Sequence, residues 1–476
     1  MDVLISCFLV LLTVALLDLI GRFSYKHAPK ALPGPWCLPI IGYPFLFTKS
    51  CHVKLAELAD RYGDIFQLFV AGKRVIVLSS LDATKEAFSK VEFSGRPSFK
   101  TIRHMQNEAK GKFAFTPFTE ACIFLRKAVI RSLCRLLHLK KGRVETMILS
   151  AHDSLKQQLL ENEGSITDPD RLIHKTIISI IGPLSLGSEL NCKDPIFECL
   201  LDSTEGFNKV MKLNFIAHYF PFLRPVIGRQ LKVYRENVSK VRSFMEETIL
   251  NHKSNATLED LQDALELAGQ ECNQEELKRL GLNLLSLKLS ATAQQKIANE
   301  IDSLSCMGHF YGVVTLEHRK HLTYTNAFLE EVFRFSSTFP LGVPHAAMKS
   351  STLRDYYIPE GSIVVANLWK INRDPKYFDQ PEKFMPERFI QEDGSFNYAL
   401  AKKVAAFSVG KRKCIGETVA RDELFLLITN LVSGFKVRLV GLVHGGSDFL
   451  QPTVGLTLKP LPGFYTFTLR SNKQNS

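Results

Sequence analysis

The stretch Phe407–Thr418, FSVGKRKCIGET, sets one cysteine, Cys414, behind three consecutive basic residues and close to two glycines. A solitary cysteine is ordinarily a small buried hydrophobe. Here Lys411, Arg412 and Lys413 precede it, and the residues after it read as the start of a helix. Cations and helix N-termini both lower the pKa of a thiol, and the thiolate is the form that binds metal. Gly410 and Gly416 leave the backbone free to turn and to approach a large flat group. One anionic sulfur with an open face is the donor set of an axial ligand rather than of a closed metal cage. The ten cysteines contain no Cys-x-x-Cys pair, so the sequence has no zinc-site spacing.

The rest of the chain bounds what such a loop can belong to. A length of 476 residues with 45% apolar and 23% charged residues is ordinary globular composition, with ample core. Scattered cysteines read as reduced thiols facing the cytosol rather than as a disulfide framework. The net charge of +12 suits an anionic partner. No nucleic-acid motif is present and the basic residues form no single block, so a membrane or an acidic protein fits better. Val3–Ile20, VLISCFLVLLTVALLDLI, is an apolar run about long enough to cross a hydrocarbon core. Asp2 precedes it, while Arg22, Lys26 and Lys30 follow, which keeps the larger part cytosolic. With no basic n-region and no small-residue cleavage site, it reads as an uncleaved anchor over 1–21. The sequons at Asn237 and Asn255 then carry no glycan.

A basic and proline-rich hinge follows over 22–42, stiffened by Pro33, Pro35 and Pro39. The runs IFQLFV and RVIVLS, joined by Ala71-Gly72-Lys73, predict a β-hairpin. Residues 115 to 335 carry mostly helical periodicity. Within them, Phe215–Gly228 is either a helix end or a loop that dips into lipid. Ala420, Leu424, Leu427 and Leu431 share one helical face, with Gly434 where a C-cap glycine belongs. The body, 43–476, is therefore expected to be mostly α with small β-sheets, preceded by one transmembrane helix.

Phe407, Gly410, Arg412, Cys414 and Gly416 complete the pattern Phe-x-x-Gly-x-Arg-x-Cys-x-Gly. Five such positions arise by accident in on the order of one chain in ten thousand. The pattern resembles the haem-binding loop of the cytochrome P-450 family, whose haem is ligated by a thiolate. EEVFRF supplies Glu331-x-x-Arg334, three apart on one helical face, and FMPERF supplies Arg388 as the family's third partner. FSGRP (93–97), PLGVPH (340–345) and NRDP (372–375) follow the family's order as well. The resemblance spans nearly the whole chain. It implies the cytochrome P-450 fold and haem b, with Cys414 as axial ligand in a loop held by Glu331, Arg334 and Arg388. Arg96, Arg126, His345 and Arg412 are then expected to meet the haem propionates, since guanidinium groups bind carboxylates bidentately. Lys127, Arg131, Lys411 and Lys413 would make a basic face for an acidic NADPH-cytochrome reductase and for cytochrome b5.

Two features depart from the family. Cys122 stands where the family carries tryptophan, four residues before Arg126, which implies one propionate hydrogen bond fewer. The family's central helix also carries an Ala/Gly-Gly-x-Asp/Glu-Thr-Thr motif that relays protons during oxygen activation. Between DLQDALELAGQE and QQKIANEID, the text CNQEELKRLGLNLLSLKLSATA contains no Gly-x-Asp/Glu-Thr. EELKRLGLNLLS resembles the entrance to that helix and TAQQKIANEID the helix after it, so a segment is missing at about Ser286–Ala291. Glu271, in AGQEC, could stand in as the acid, but its Glu-, Gln- and Lys-rich surroundings are unlike a helix packed over a porphyrin. No distal acid or alcohol is therefore assigned.

The expected function is a monooxygenase of the endoplasmic reticulum membrane, its catalytic domain cytosolic. It would insert one oxygen atom from O2 into a lipophilic substrate, with electrons from NADPH through the reductase. FSGRPSFKTIRHMQNEAKGKFAF and PTVGLTL (452–458) resemble animal microsomal members, among them steroid 17-hydroxylases and aryl-hydrocarbon hydroxylases. Two alternatives follow from the missing relay: a thiolate isomerase of a lipid peroxide, or a haem-binding protein without catalysis.

Overall fold

Residues Ile65–Val70 (β1) and Lys73–Leu78 (β2) form the expected hairpin, in antiparallel register down to Val70 opposite Lys73. The turn is therefore only Ala71 and Gly72, both left-handed at φ 45° and 75°, and Lys73 belongs to the strand. A two-residue turn of this hand matches the twist of the strands it joins. The computed structural model describes residues 32–39, 41–43, 50–97, 117–134, 142–167, 169–186, 197–199, 291–306, 312–442, 457–458 and 463–470, with scattered single positions at 13 and between 228 and 243. The expected anchor (apart from Thr13), the Phe215–Gly228 stretch (apart from Gly228), Glu271 and the seam up to 290 lie outside them. Among the described residues, no helix is long and apolar enough to cross a membrane.

The helices around the hairpin are α1 (Cys51–Tyr62), α2 (Leu81–Ser89), α3 (Glu120–Cys134), α4 (Arg143–Glu161), α5 (Pro169–Leu186), α6 (Ala291–Cys306) and α7 (Thr323–Ser336). Then come β3 (His345–Ala346), β4 (Ser351–Leu353), β5 (Tyr356–Ile358), β6 (Ile363–Ala366), the short α8 (Leu368–Ile371) and α9 (Tyr398–Ala401), α10 (Glu417–Gly434), β7 (Phe435–Leu442) and β8 (Gly463–Leu469). The main sheet has the order β1-β2-β6-β3, and two two-stranded ribbons complete the β content. β2 and β6 pair in parallel, although residues from 79 to 362 separate them in sequence. The described part of the proline-rich segment lies along β1. The N–H of Gln67 reaches the Pro33 carbonyl at 2.8 Å, and that of Tyr43 reaches Phe69 at 2.7 Å. A side chain at Gly34 would collide with the Gln67 carbonyl, its Cβ only 1.9 Å away.

The helical core collects apolar residues of α3 to α7 and α10 with Phe435, Val437, Tyr465 and Phe467 of the β7–β8 ribbon. α10 is buried on most of its circumference, so the single apolar face expected from the sequence is only part of what it covers. Gly434 is the last helical residue rather than a left-handed cap, because Phe435 runs straight into β7 at φ −132°. α7 is buried at ten of its 14 residues and has no side-chain cap of its own. Glu300 of α6 supplies one, accepting the N–H groups of Tyr324 and Thr325 at 2.6 and 2.9 Å and the Thr325 hydroxyl at 2.8 Å. That contact fixes the start of the helix from which the site is braced.

Candidate active site

The loop around Cys414 is a short 3-10 turn, Gly410–Arg412, that leads into α10 through Gly416. Cys414 is half-buried, and its N–H donates to the Phe407 carbonyl at 3.1 Å. None of the described cysteines is in a disulfide. Gly410 is left-handed at φ 81°, and a Cβ there would lie 2.3 Å from the Phe88 carbonyl. Close approach by the end of α2 therefore demands this glycine, where the sequence suggested approach by a flat ligand. Gly416 has an ordinary φ of −79°, which any residue adopts. Of the three cations, Lys413 is matched by Glu417 at 2.5 Å, Arg412 is buried and Lys411 is exposed.

Glu331 and Arg334 meet in a fork, Nε to Oε2 and Nη2 to Oε1 both at 2.7 Å, with neither side chain exposed at all (0%). Oε1 also accepts the Met385 N–H at 2.7 Å and Arg388 Nε at 3.3 Å. Arg334 spends its other hydrogens on the carbonyls of Asn372, Pro381 and Lys383, at 2.9, 2.8 and 3.1 Å. Such a pair is stable in the dry interior because its lone pairs and protons are used; losing one partner costs about 3–5 kcal/mol. Asn372 carries the brace onward. Its Oδ1 accepts the Ala405 N–H at 2.8 Å, two residues before Phe407, and the Phe407 ring packs edge-on against Phe333 of α7 at 5.2 Å.

The four residues expected at a bound carboxylate come from four segments: Arg412 from the loop, Arg126 from α3, His345 from β3 and Arg96 from the stretch after α2. Arg126 of α3 is buried and donates from Nη2 to the Lys413 carbonyl at 2.6 Å. Arg412 donates from Nη1 to the Cys122 sulfur at 3.5 Å. Arg96 reaches the carbonyls of Val343 and Pro344 at 3.0 and 3.1 Å. His345 Nδ1 lies 2.7 Å from the Phe93 carbonyl, which can only accept, so Nδ1 holds the proton. Its ring stacks on Phe88 at 3.7 Å and 4°. Burial, then the nearby Arg96 charge, pushes His345 well below the usual imidazole range, and Arg412 adds to this. Each of these arginine bonds ends on a neutral acceptor.

Sequence reading did not single out Phe88, Asn372 or Glu330. Asn372 sits inside the quoted NRDP motif, whereas nothing near Phe88 in sequence marks its contacts with Gly410 and His345.

A family model described as Cytochrome P-450 matches residues 32–286 and 279–467. The chain belongs to the cytochrome P-450 family. It is similar to cytochrome P-450 1A1 of Homo sapiens, 27% identical over 484 residues that cover 92% of each chain. The counterpart in Balaenoptera acutorostrata is 28% identical over 494 residues, covering 94% of this chain and 93% of that protein. That of Rattus norvegicus is 26% identical over 482 residues, with 92% and 90% covered. The family makes this P-450 a haem-dependent monooxygenase, supplied in general with electrons from NADPH through a reductase.

The residues present fit that cofactor. Cys414 offers one sulfur in a loop fixed from both ends, so a metal there must bring its other ligands with it, as haem iron does. Three guanidinium groups and a histidine around the loop suit a planar group that carries carboxylates. Two further facts bear on the departure from the family. The two matched segments meet at 279–286, beside the seam found in the sequence. The alignments of 484 and 494 residues exceed the 476 of this P-450, so each relative has stretches with no counterpart here.

Proposed function

We propose that this P-450 is a monooxygenase of the endoplasmic reticulum, of the animal microsomal type, acting on a lipophilic steroid or planar aromatic substrate. The observation that carries the reading is the Cys414 loop, braced by Glu331 through Asn372 on one side and by Arg126 on the other. An anchor over 1–21 holds the body to the membrane. Of the proposed hinge, residues 32–39 and 41–42 are fastened along β1.

When bound, haem supplies the activation of dioxygen, and the protein holds and surrounds it. Cys414 would supply the sulfur that holds it. Glu331, Arg334 and Arg388 keep the loop in one shape, so the sulfur needs no rearrangement to bind. Arg96, Arg126 and Arg412 would neutralise its carboxylates. His345 would stand beside them as a neutral imidazole, since burial holds it well below its usual range. Lys127 and Arg131 face outward on α3, one turn apart, with Phe124 70% exposed on the same stripe. With Lys411 they form a basic and partly aromatic face beside the loop. An acidic NADPH-cytochrome reductase is steered to such a face, and cytochrome b5 competes for it.

The break at 279–286 favours a second reading, in which haem binds but substrate oxidation is impaired. In that reading no acid and alcohol pair would supply protons beside the cofactor, and electrons from NADPH would leave in hydrogen peroxide. The test supplies the haem-loaded chain with reductase and NADPH, with a steroid or a polycyclic aromatic hydrocarbon present, and counts products per NADPH. Hydroxylated substrate supports the monooxygenase. Hydrogen peroxide equal to the NADPH consumed supports the impaired reading. Conversion of a lipid hydroperoxide without NADPH supports the isomerase.

A further inference from the structure

α7 carries two adjacent buried glutamates, and they point to different neighbours. Glu331 faces the segment 372–388, as described above. Glu330 faces α10, where Arg421 grips it in a fork: Nη1 to Oε2 at 2.5 Å and Nη2 to Oε1 at 3.2 Å. Arg421 Nε reaches on to Glu417 Oε1 at 3.0 Å. Glu417 Oε2 lies 2.5 Å from Lys413 Nζ, on the residue directly before Cys414. The Arg421 guanidinium also lies 4.6 Å over the Phe333 ring and 5.3 Å over the Phe407 ring, the aromatic pair at the other end of the loop. Four alternating charges thus run as a ladder from α7 to the loop, with no net charge. Arg126 holds the carbonyl of the same Lys413, so that residue is fixed at its backbone and at its ammonium group.

We propose that Glu330, Arg421, Glu417 and Lys413 form a second positioning device for the Cys414 loop, separate from Glu331, Arg334 and Arg388. The proposal rests on the reading of Cys414 as the haem ligand. The two devices act on different parts of the loop: Asn372 pins its entrance at Ala405, and the ladder pins its exit at Lys413. A sulfur that follows immediately after Lys413 takes its direction from that exit. The ladder also keeps the Lys413 ammonium on Glu417.

The test uses the full-length haem-loaded chain and the variants Glu330→Gln, Arg421→Lys and Glu417→Gln. The first readout is amide exchange of peptides within 407–418, compared with peptides of the β1–β2 hairpin. The second is the decay of the thiolate-type Soret band of the reduced carbon monoxide complex. Removing a charge-assisted rung is expected to speed both loop exchange and band decay about tenfold to hundredfold, with hairpin exchange unchanged. Arg421→Lys keeps the charge but not the fork and should fall between Glu330→Gln and the parent chain. Glu417→Gln lies at the rim, so it tests the ladder even where Glu330→Gln fails to fold. Parent-like exchange and decay in Glu417→Gln would overturn the proposal. Faster loop exchange in a chain whose parent gives no thiolate-type band would uphold the ladder as a brace and overturn the ligand reading instead.

Discussion

Glu331 on α7 and Glu423 on α10 are both wholly buried, at 0% exposure, and their surroundings are opposites. Glu331 accepts from two arginines and a backbone N–H. Among the described residues, neither oxygen of Glu423 has a hydrogen-bond partner. Burial alone pushes the Glu423 carboxyl from 4.5 to about 8, so it is mainly protonated at neutral pH. The contrast shows what an ionised carboxylate needs in a dry interior: a complete set of donors, placed there by other elements. Where α7 meets the 372–388 segment that set exists, and it is spent on holding the Cys414 loop. Along α10 it does not, and the carboxyl stays neutral as an apolar-packed acid.

The largest effect that would break this comparison is at Glu331. Glu331→Gln leaves two arginines without their shared anion and should cost about 3–5 kcal/mol in unfolding free energy, with loss of haem on purification. A denaturant curve matching the parent chain would remove the brace from the account. Next come the two arginines. Arg334 is wholly buried and grips both oxygens of Glu331, whereas Arg388 meets Glu331 through Nε alone and turns its other nitrogens to the carbonyls of Asp379, Gln380 and Lys383. Arg334→Lys should therefore destabilise more than Arg388→Lys, by about 1–3 kcal/mol.

Glu423→Gln sharpens the other half. The folded chain keeps this proton up to about pH 8, while the unfolded chain releases it above about 4.5. The folded state thus binds the extra proton between these values, and its stability falls as pH rises through that window. The variant has no such slope. Its thermal midpoint should match the parent near pH 5 and exceed it at pH 8, and equal midpoints at both would contradict the buried neutral acid. The smallest effect belongs to a pair in water. Arg171 and Glu198 are bonded at 2.8 Å but 68% and 46% exposed, so Arg171→Ala should shift stability by less than about 1 kcal/mol.

The loop, Glu331, Arg334 and Arg388 could be read from the sequence because their residues keep fixed spacings within short segments. The hairpin was legible for the same reason, down to one residue at its turn. What escaped depends on contacts between distant segments. Glu330 finds Arg421 across α7 and α10, Asn372 finds Ala405, and Gly410 is required by Phe88 of α2. No local pattern encodes those meetings. The left-handed Ser337, whose hydroxyl receives Asn372 and Arg373, is equally silent in sequence. Gly434 misled for a related reason: a glycine after an apolar helical face suggests a cap, but the pairing of β7 with β8 draws the chain on extended.

The most direct test of the central claim is the reduced carbon monoxide difference spectrum of the 476-residue chain beside its Cys414→Ala variant. The account predicts a thiolate-type Soret band in the parent chain and its absence in the variant. A thiolate-type band that survives in Cys414→Ala would show that another residue ligates the iron, and the loop would lose the role assigned to it here.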